Sequence, residues 1–209
     1  MEITIIGTGN MARGIGTRAV AGGHDVTLLG TEQAHAEELA AELDGSSVKA
    51  GTVGDPIAGD VVVLAVWYPV SREVAERYGD QLDGKVVVDI TNPIDVDAFE
   101  PIVPEAGSAA QELAAAAPNA KVVKAFNTTF AGTLAGGGKV AGQPLDVFIA
   151  SDDDEAKAKV RELAESAGLR AIDAGPLALA RQLEGAGYVH MAIQPGLGGT
   201  YASALKIVS

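Results

Sequence analysis

The chain has 209 residues, 47% of them apolar and 21% charged, which suits one large α/β domain or one domain with a small appendage. Its formal net charge of −13 repels phosphate backbones and anionic headgroups, so nucleic acid and membrane surfaces are set aside as partners. The absence of cysteine excludes disulfides, iron–sulfur ligation and thiolate catalysis, and three scattered histidines support no metal site.

Aromatic residues make up 4%, so the core falls to Val, Ile, Leu and Ala, as in a buried parallel sheet covered by helices. Met1 to Ile6 reads as a strand. Asn10 to Ala21 reads as a helix with Met11, Ile15 and Ala19 on one face, stopped by Gly22-Gly23. A strand over 25–29 leads to a helix over 32–43, with Ala36, Leu39, Ala40 and Leu43 inward and closure at Asp44-Gly45. A short strand follows over 48–50. The runs 60–66 (DVVVLAV) and 85–90 (KVVVDI) are uninterrupted and apolar, as in strands buried on both faces, with a helix over 71–78 between them. Ser108 to Gln111 is a capping box opening a helix that ends before Pro118. Strands over 121–126 and 145–150 precede a helix over 152–167, whose acidic first turn suits the dipole and whose Gly168 suits the C′ position. A strand over 169–173 and a helical pattern over 176–193 complete the pass, before a tail that is Gly-rich and then apolar. The alternation predicts a doubly wound, mostly parallel α/β sheet of the Rossmann, NAD(P)-binding type. A division in the glycine-rich stretch 132–142 separates a dinucleotide domain, 1–142, from a small C-terminal extension, 143–209. No apolar run reaches membrane-spanning length. The N-terminus shows no basic leader, so a cytoplasmic setting is expected.

Gly7-Thr8-Gly9-Asn10-Met11-Ala12 fits G-x-G-x-x-[G/A] between a strand and a helix, the context that gives the pattern its meaning. Gly7 permits the tight turn, Gly9 leaves room for a pyrophosphate and Ala12 lets the helix pack on the sheet. The helix N-terminus offers unpaired N–H groups and partial positive charge. A carboxylate preferring NAD is absent from the end of the second strand, Leu28-Leu29-Gly30-Thr31. Thr31 can donate to a 2′-phosphate, or serve as the N-cap of the next helix, or both. Glu32 stands where an arginine would favour NADP. The reading leans to NADP, with NAD as the alternative.

Three strand ends should meet at the nicotinamide: Ala65-Val66-Trp67-Tyr68-Pro69, Asp89-Ile90-Thr91-Asn92-Pro93 and Lys124-Ala125-Phe126-Asn127-Thr128-Thr129. Asn92 and Asn127 can each bond a carboxamide, and Thr91 and Thr128 supply hydroxyls. Asn92-Pro93 can also be a plain turn. Trp67 and Tyr68 can wall a flat ring or pack a loop edge. His190 reads as a satisfied structural residue, and Lys124 as a group beside the site or a cap on its strand.

These segments, GTGN at 7–10, AVWYP at 65–69, DITNP at 89–93, VKAFNTT at 123–129 and RQLEGAGYVHMA at 181–192, resemble the NADPH-dependent F420 reductase family, the coenzyme F420-dependent NADP oxidoreductases. The likeness runs nearly end to end with the motifs in order. It implies a Rossmann domain with a small C-terminal extension, bound NADP and hydride exchange with a flat deazaflavin over the nicotinamide. NADP-binding members carry Ser or Thr and then Arg after the second strand, where this chain has Thr31 and Glu32.

Hydride transfer between flat rings needs position more than side-chain chemistry, which agrees with the lack of a catalytic dyad. A ketone or alcohol substrate would want a positioned acid or base better than His190, Tyr68 or Lys124. The partner expected is a small redox acceptor, a deazaflavin first and free flavins or quinones next. Arg13, Lys121, Lys124 and Lys139 are scattered candidates to meet its acidic groups. Two other readings stand: an imine reductase of pyrroline-5-carboxylate reductase type, which would need a helical dimerisation domain, and a non-catalytic dinucleotide sensor. A homodimer stands beside the monomer.

Overall fold

The computed structural model describes residues 1–43 and 47–208. In chain order the elements are β1 (Glu2–Ile6), α1 (Asn10–Ala21), β2 (Asp25–Gly30), α2 (Gln33–Glu42), β3 (Val48–Thr52), β4 (Val61–Leu64), α3 (Val70–Tyr78) and β5 (Val86–Asp89). A small hairpin of β6 (Ile94–Asp95) and β7 (Glu100–Pro101) precedes α4 (Ala109–Ala116), β8 (Lys121–Lys124) and α5 (Ala131–Ala135). A second hairpin, β9 (Lys139–Val140) with β10 (Gln143–Pro144), leads to β11 (Asp146–Ala150), α6 (Asp154–Ser166), β12 (Arg170–Gly175) and α7 (Ala180–Ala192).

Eight strands form one sheet in the order β12-β11-β8-β5-β4-β1-β2-β3. The pairs from β3 through to β8 are parallel, and β11 meets β8 antiparallel before running parallel to β12. Strand order reverses between β1 and β4, the switch point at which such sheets bind ligands. Alternate residues of the central strands enter opposite cores, as the two-residue period of a strand requires. Ile3, Ile5, Val61, Val63, Val86 and Val88 pack with α1, α2, α5 and α6 on one face. Ile6, Val62, Leu64 and Val87 pack with α3 and α4 on the other.

Helix ends follow local chemistry. Helix α1 spans the predicted residues and stops at Gly22. Ser108 Oγ accepts the Gln111 N–H at 3.1 Å, but the return arm of the box joins the Ser108 hydroxyl to Gln111 Oε1 at 3.0 Å rather than reaching the Ser108 N–H. Asp153 caps α6 by accepting the Ala156 N–H at 2.8 Å. The closing turn expected at Asp44-Gly45 lies outside the described residues.

One expectation changes in detail. Strands β4, β5 and β8 stop at Leu64, Asp89 and Lys124, short of the apolar runs that predicted them. Apolar character continues past the ladder because these exits remain packed under later segments. The glycine-rich stretch 132–142 holds all but the first residue of α5, then β9 and the turn after it, and Leu134 of α5 is fully buried. Residues 143–208 then extend the same sheet and core. Their tail is held by Asp146, whose buried carboxylate accepts from Arg170 Nε at 2.7 Å, Lys206 Nζ at 2.7 Å and the Ile207 N–H at 2.8 Å. Burial pushes this carboxyl up, and the bonds from Arg170, Lys206 and Ile207 overcome it and hold the pKa at about 2. No helix among the described residues is long and apolar enough to cross a membrane.

Candidate functional site

Register places four strand ends side by side: Ile6 pairs with Leu64, Leu64 with Asp89, and Asp89 with Lys124. The exits that follow at Gly7, Ala65, Ile90 and Ala125 therefore share one edge of the sheet. Gly7 sits at φ +118°, and a Cβ there would lie 2.3 Å from the Ala65 carbonyl oxygen, so this turn admits no side chain. Gly9, at the N-cap of α1, is exposed, and a Cβ there would meet nothing within 4 Å. No acidic residue stands in the first turn, so the positive end of the helix dipole is not neutralised. Ala12 is buried on the sheet, Thr8 and Met11 are half-buried, and Asn10 is exposed. An open, donor-rich cradle at Gly9 over a tightly packed Gly7 fits a pyrophosphate.

At the exit of β2, a Cβ on Gly30 would come within 2.9 Å of both Thr8 Cγ2 and the Glu32 carbonyl oxygen, so the Gly7–Ala12 turn lies directly against this strand end. Thr31 is exposed. Helix α2 opens one residue later than expected, with Glu32 at the N-cap position and no side-chain cap, so Thr31 does not take the capping role.

The other half of the edge is built from side chains. Lys124, expected beside the site or solvating its strand end, is instead fully buried. Its ammonium donates to Asp89 Oδ2 at 2.8 Å, to Glu184 Oε1 at 2.8 Å and to the Thr91 carbonyl. Glu184 also accepts the N–H groups of Ala109 and Ala110 at 3.2 and 3.4 Å, at the start of α4. Burial pushes the Glu184 carboxyl up, Lys124 pulls it back, and Asp89 on the same ammonium adds to the rise. The triad ties β5, β8, α4 and α7 together. Sequence reading missed Asp89 and Glu184. The available signal, for Asp89 alone, was a charge closing each of two valine-rich strands, VVVD and KVVK, where a mutual pair makes burial tolerable.

Above the triad, Asn92 Nδ2 donates to the Asn127 carbonyl at 2.9 Å, while Asn127 Nδ2 donates to Asn92 Oδ1 at 2.9 Å and the Leu183 carbonyl at 2.8 Å. The two amides are thus bound to each other and to α7. A Cβ on Gly187 would fall 2.6 Å from Asn92 Oδ1, so only glycine lets α7 lie this close. Two buried side-chain atoms here have no partner: Asn127 Oδ1 and Thr91 Oγ1. Pro93, Ala125 and Thr128 are buried, and Ala65 and Val66 half-buried. Trp67, by contrast, is 73% exposed. Tyr68 donates to Glu112 Oε2 at 3.0 Å, and burial with that bond raises its pKa to about 12. His190 is buried in a structural role, its Nδ1 3.2 Å from the Thr128 carbonyl and its Nε2 2.9 Å from Ser203 Oγ. Burial lowers its pKa. Phe99 of the β6–β7 hairpin leans on Tyr188 of α7, with ring centroids 5.6 Å apart.

A concavity of about 190 Å³ opens between α1 and α2, beside Thr8. A larger one, about 290 Å³, lies at the opposite, amino edge of the sheet around Glu2 and Val61, away from the exits. Among the described residues no group of three His, Cys, Asp or Glu side chains is arranged to hold a metal.

Residues 2–93 match the family described as NADP oxidoreductase coenzyme F420-dependent. The F420-dependent NADP reductase of Methanothermobacter thermautotrophicus is 32% identical over 207 residues, a match covering 88% of this chain and 85% of that protein. The chain belongs to this family. A putative F420-dependent NADP-reductase from Arthrobacter sp. FB24 superposes with a TM-score of 0.87 at 28% identity over 99% of both chains. Metalloreductase STEAP3 of Rattus norvegicus is 31% identical over 183 residues, and this chain spans 36% of its length. The imine reductase of Bacillus cereus has a TM-score of 0.64 at 21% identity, a likeness of fold alone.

Proposed function

We propose that the chain is an NADP-dependent oxidoreductase exchanging hydride between NADP(H) and coenzyme F420. The observation that carries the reading is the shared edge: an open phosphate cradle at Gly9 in line with an Asn–Asn exit that keeps one acceptor, Asn127 Oδ1, buried and unpartnered.

In this reading Thr8, Gly9, Asn10 and Met11 hold the pyrophosphate by backbone N–H groups and the α1 dipole, and Gly7, whose own N–H donates to the Leu29 carbonyl at 2.9 Å, shapes the turn. Thr31 faces the ribose. Asn127 Oδ1 takes the carboxamide N–H, its own amide fixed by Asn92 and Leu183. Ala65, Val66 and Ala125 line the ring's floor, Asn92 and Pro93 its wall, and Thr128 its far end. When both are bound, NADPH supplies the hydride and the deazaflavin accepts it. The chain contributes alignment to about 3–3.5 Å and exclusion of water. The buried triad serves that end by fixing α7, and it touches no open surface. Exposed Trp67 offers a face for the acceptor. Residues 1–142 carry the dinucleotide, and 143–209 supply α7 and complete the wall.

Anaerobic stopped-flow mixing of NADPH-loaded protein with coenzyme F420, free flavin or a neutral quinone tests the reading. Bleaching of F420 faster than without protein is expected, and faster than for the other two acceptors. Acceleration of none of them would replace an oxidoreductase with a dinucleotide sensor.

A further inference from the structure

At the β2 exit the chain presents Glu32, a residue of the wrong sign for a 2′-phosphate. The arginine closest in sequence to the phosphate turn is Arg13 of α1, which points toward α2. Its Nε and Nη2 donate to the two carboxylate oxygens of Glu42 at 2.7 and 3.3 Å, and its Nη1 donates to Asn10 Oδ1 at 3.2 Å. Arg13 lines the 190 Å³ concavity with Thr8, His35, Glu38, Leu39 and Glu42, and it is the only lysine or arginine among them. Thr8 joins this groove to the ribose position, because its methyl lies against Gly30 at the end of β2.

We propose that Arg13 discriminates NADP from NAD in this chain, and that Glu42 competes with the 2′-phosphate for its guanidinium. The inference rests on the dinucleotide lying along the Gly7–Ala12 turn. Both partners of the Arg13–Glu42 pair are more than two-fifths exposed, so the pair is weak and exchangeable. A phosphate matches the guanidinium fork and carries more charge than a carboxylate. Binding NADP would exchange one anion for a stronger one and release Glu42 to solvent. NAD has nothing to offer Arg13 and leaves the pair closed. With Glu38 and Glu42 lining the groove and Glu32 at the β2 exit, the preference that results is modest, and Glu42 sets its size.

Isothermal calorimetry with NADP and NAD on the full chain tests this. Arg13→Ala is expected to weaken NADP about tenfold, some 1.4 kcal/mol, with NAD changed less than twofold. Glu42→Gln is expected to strengthen NADP severalfold and leave NAD unchanged. Retained folding is checked by circular dichroism, and the gain in Glu42→Gln cannot arise from a damaged fold. An unchanged NADP-to-NAD ratio in both variants, with both nucleotides still bound, overturns the role of Arg13 alone. Failure of the parent chain to bind either nucleotide overturns the dinucleotide reading and this inference with it.

Discussion

The two ends of the site are built on opposite plans. At Gly7 and Gly9 the chain removes side chains, and what it leaves for a ligand is backbone N–H groups and a helix dipole that exist wherever a strand turns into a helix. At Asp89–Asn92 and Lys124–Asn127 it does the reverse: charged and amide side chains are buried, paired and covered by α7. Faults should therefore behave differently. At the first end a substitution can remove ligand and leave the fold; at the second, fold and site fail together.

The largest expected effect is at Lys124. Lys124→Met leaves Asp89 and Glu184 buried without their cation, which should cost about 3–5 kcal/mol of stability in urea denaturation. A loss under 1 kcal/mol would show that water reaches the triad and that the two ends are less distinct than drawn. Next is Gly187→Ala. Alanine in mid-helix normally gains up to about 1 kcal/mol over glycine. Here its Cβ meets Asn92 Oδ1 at 2.6 Å, and overpacking of about 1–3 kcal/mol should prevail, giving a net loss of melting temperature. A rise would mean that α7 can lift off the Asn pair without penalty.

These two predictions also mark what sequence could and could not tell. The glycine turn, the α1 boundaries and the valine strands were legible because each is local: a period, a cap or a φ demand within a few residues. The coenzyme-binding positions proposed at the first end rest on that same locality. The triad was not legible, because Glu184 lies 60 residues from Lys124 and nothing near it marks it as buried. Asn92 and Asn127 were noticed as polar exits, yet their mutual bonds depend on register, which fixes β5 beside β8 only in three dimensions. Thr31 looked like a cap because it precedes a helical pattern, and a one-residue difference in where α2 begins removed that role.

A smaller effect sharpens the contrast from outside the site. Asp146 is held at about 2, below its unfolded value near 4, so its contribution is present above pH 4 and is lost as pH falls through 2. The loss should be roughly 2 kcal/mol, and it should be absent in Asp146→Asn, as acid titration of melting temperature can check. Equal acid sensitivity in the variant would show that the tail is held by other contacts. Least of all on stability should be Gly9→Val. Its side chain enters open space, so unfolding should shift by no more than about 0.5 kcal/mol while calorimetric dinucleotide binding disappears. Retained binding would remove the turn from the site.

Helix α7 closes over strand ends laid down much earlier in the chain, and this sets an order of completion during synthesis. The Gly7–Ala12 turn is framed by β1, β2 and β4, and α1 behind it packs on α5, where Gly14 lies against Ala131 and Leu134. The Asn pair and the triad wait for Leu183, Glu184 and Gly187, and His190 waits for Ser203. A nascent chain on the ribosome thus has every element of the proposed nucleotide cradle, α5 included, before it has the α7 wall against which a ring would be oriented.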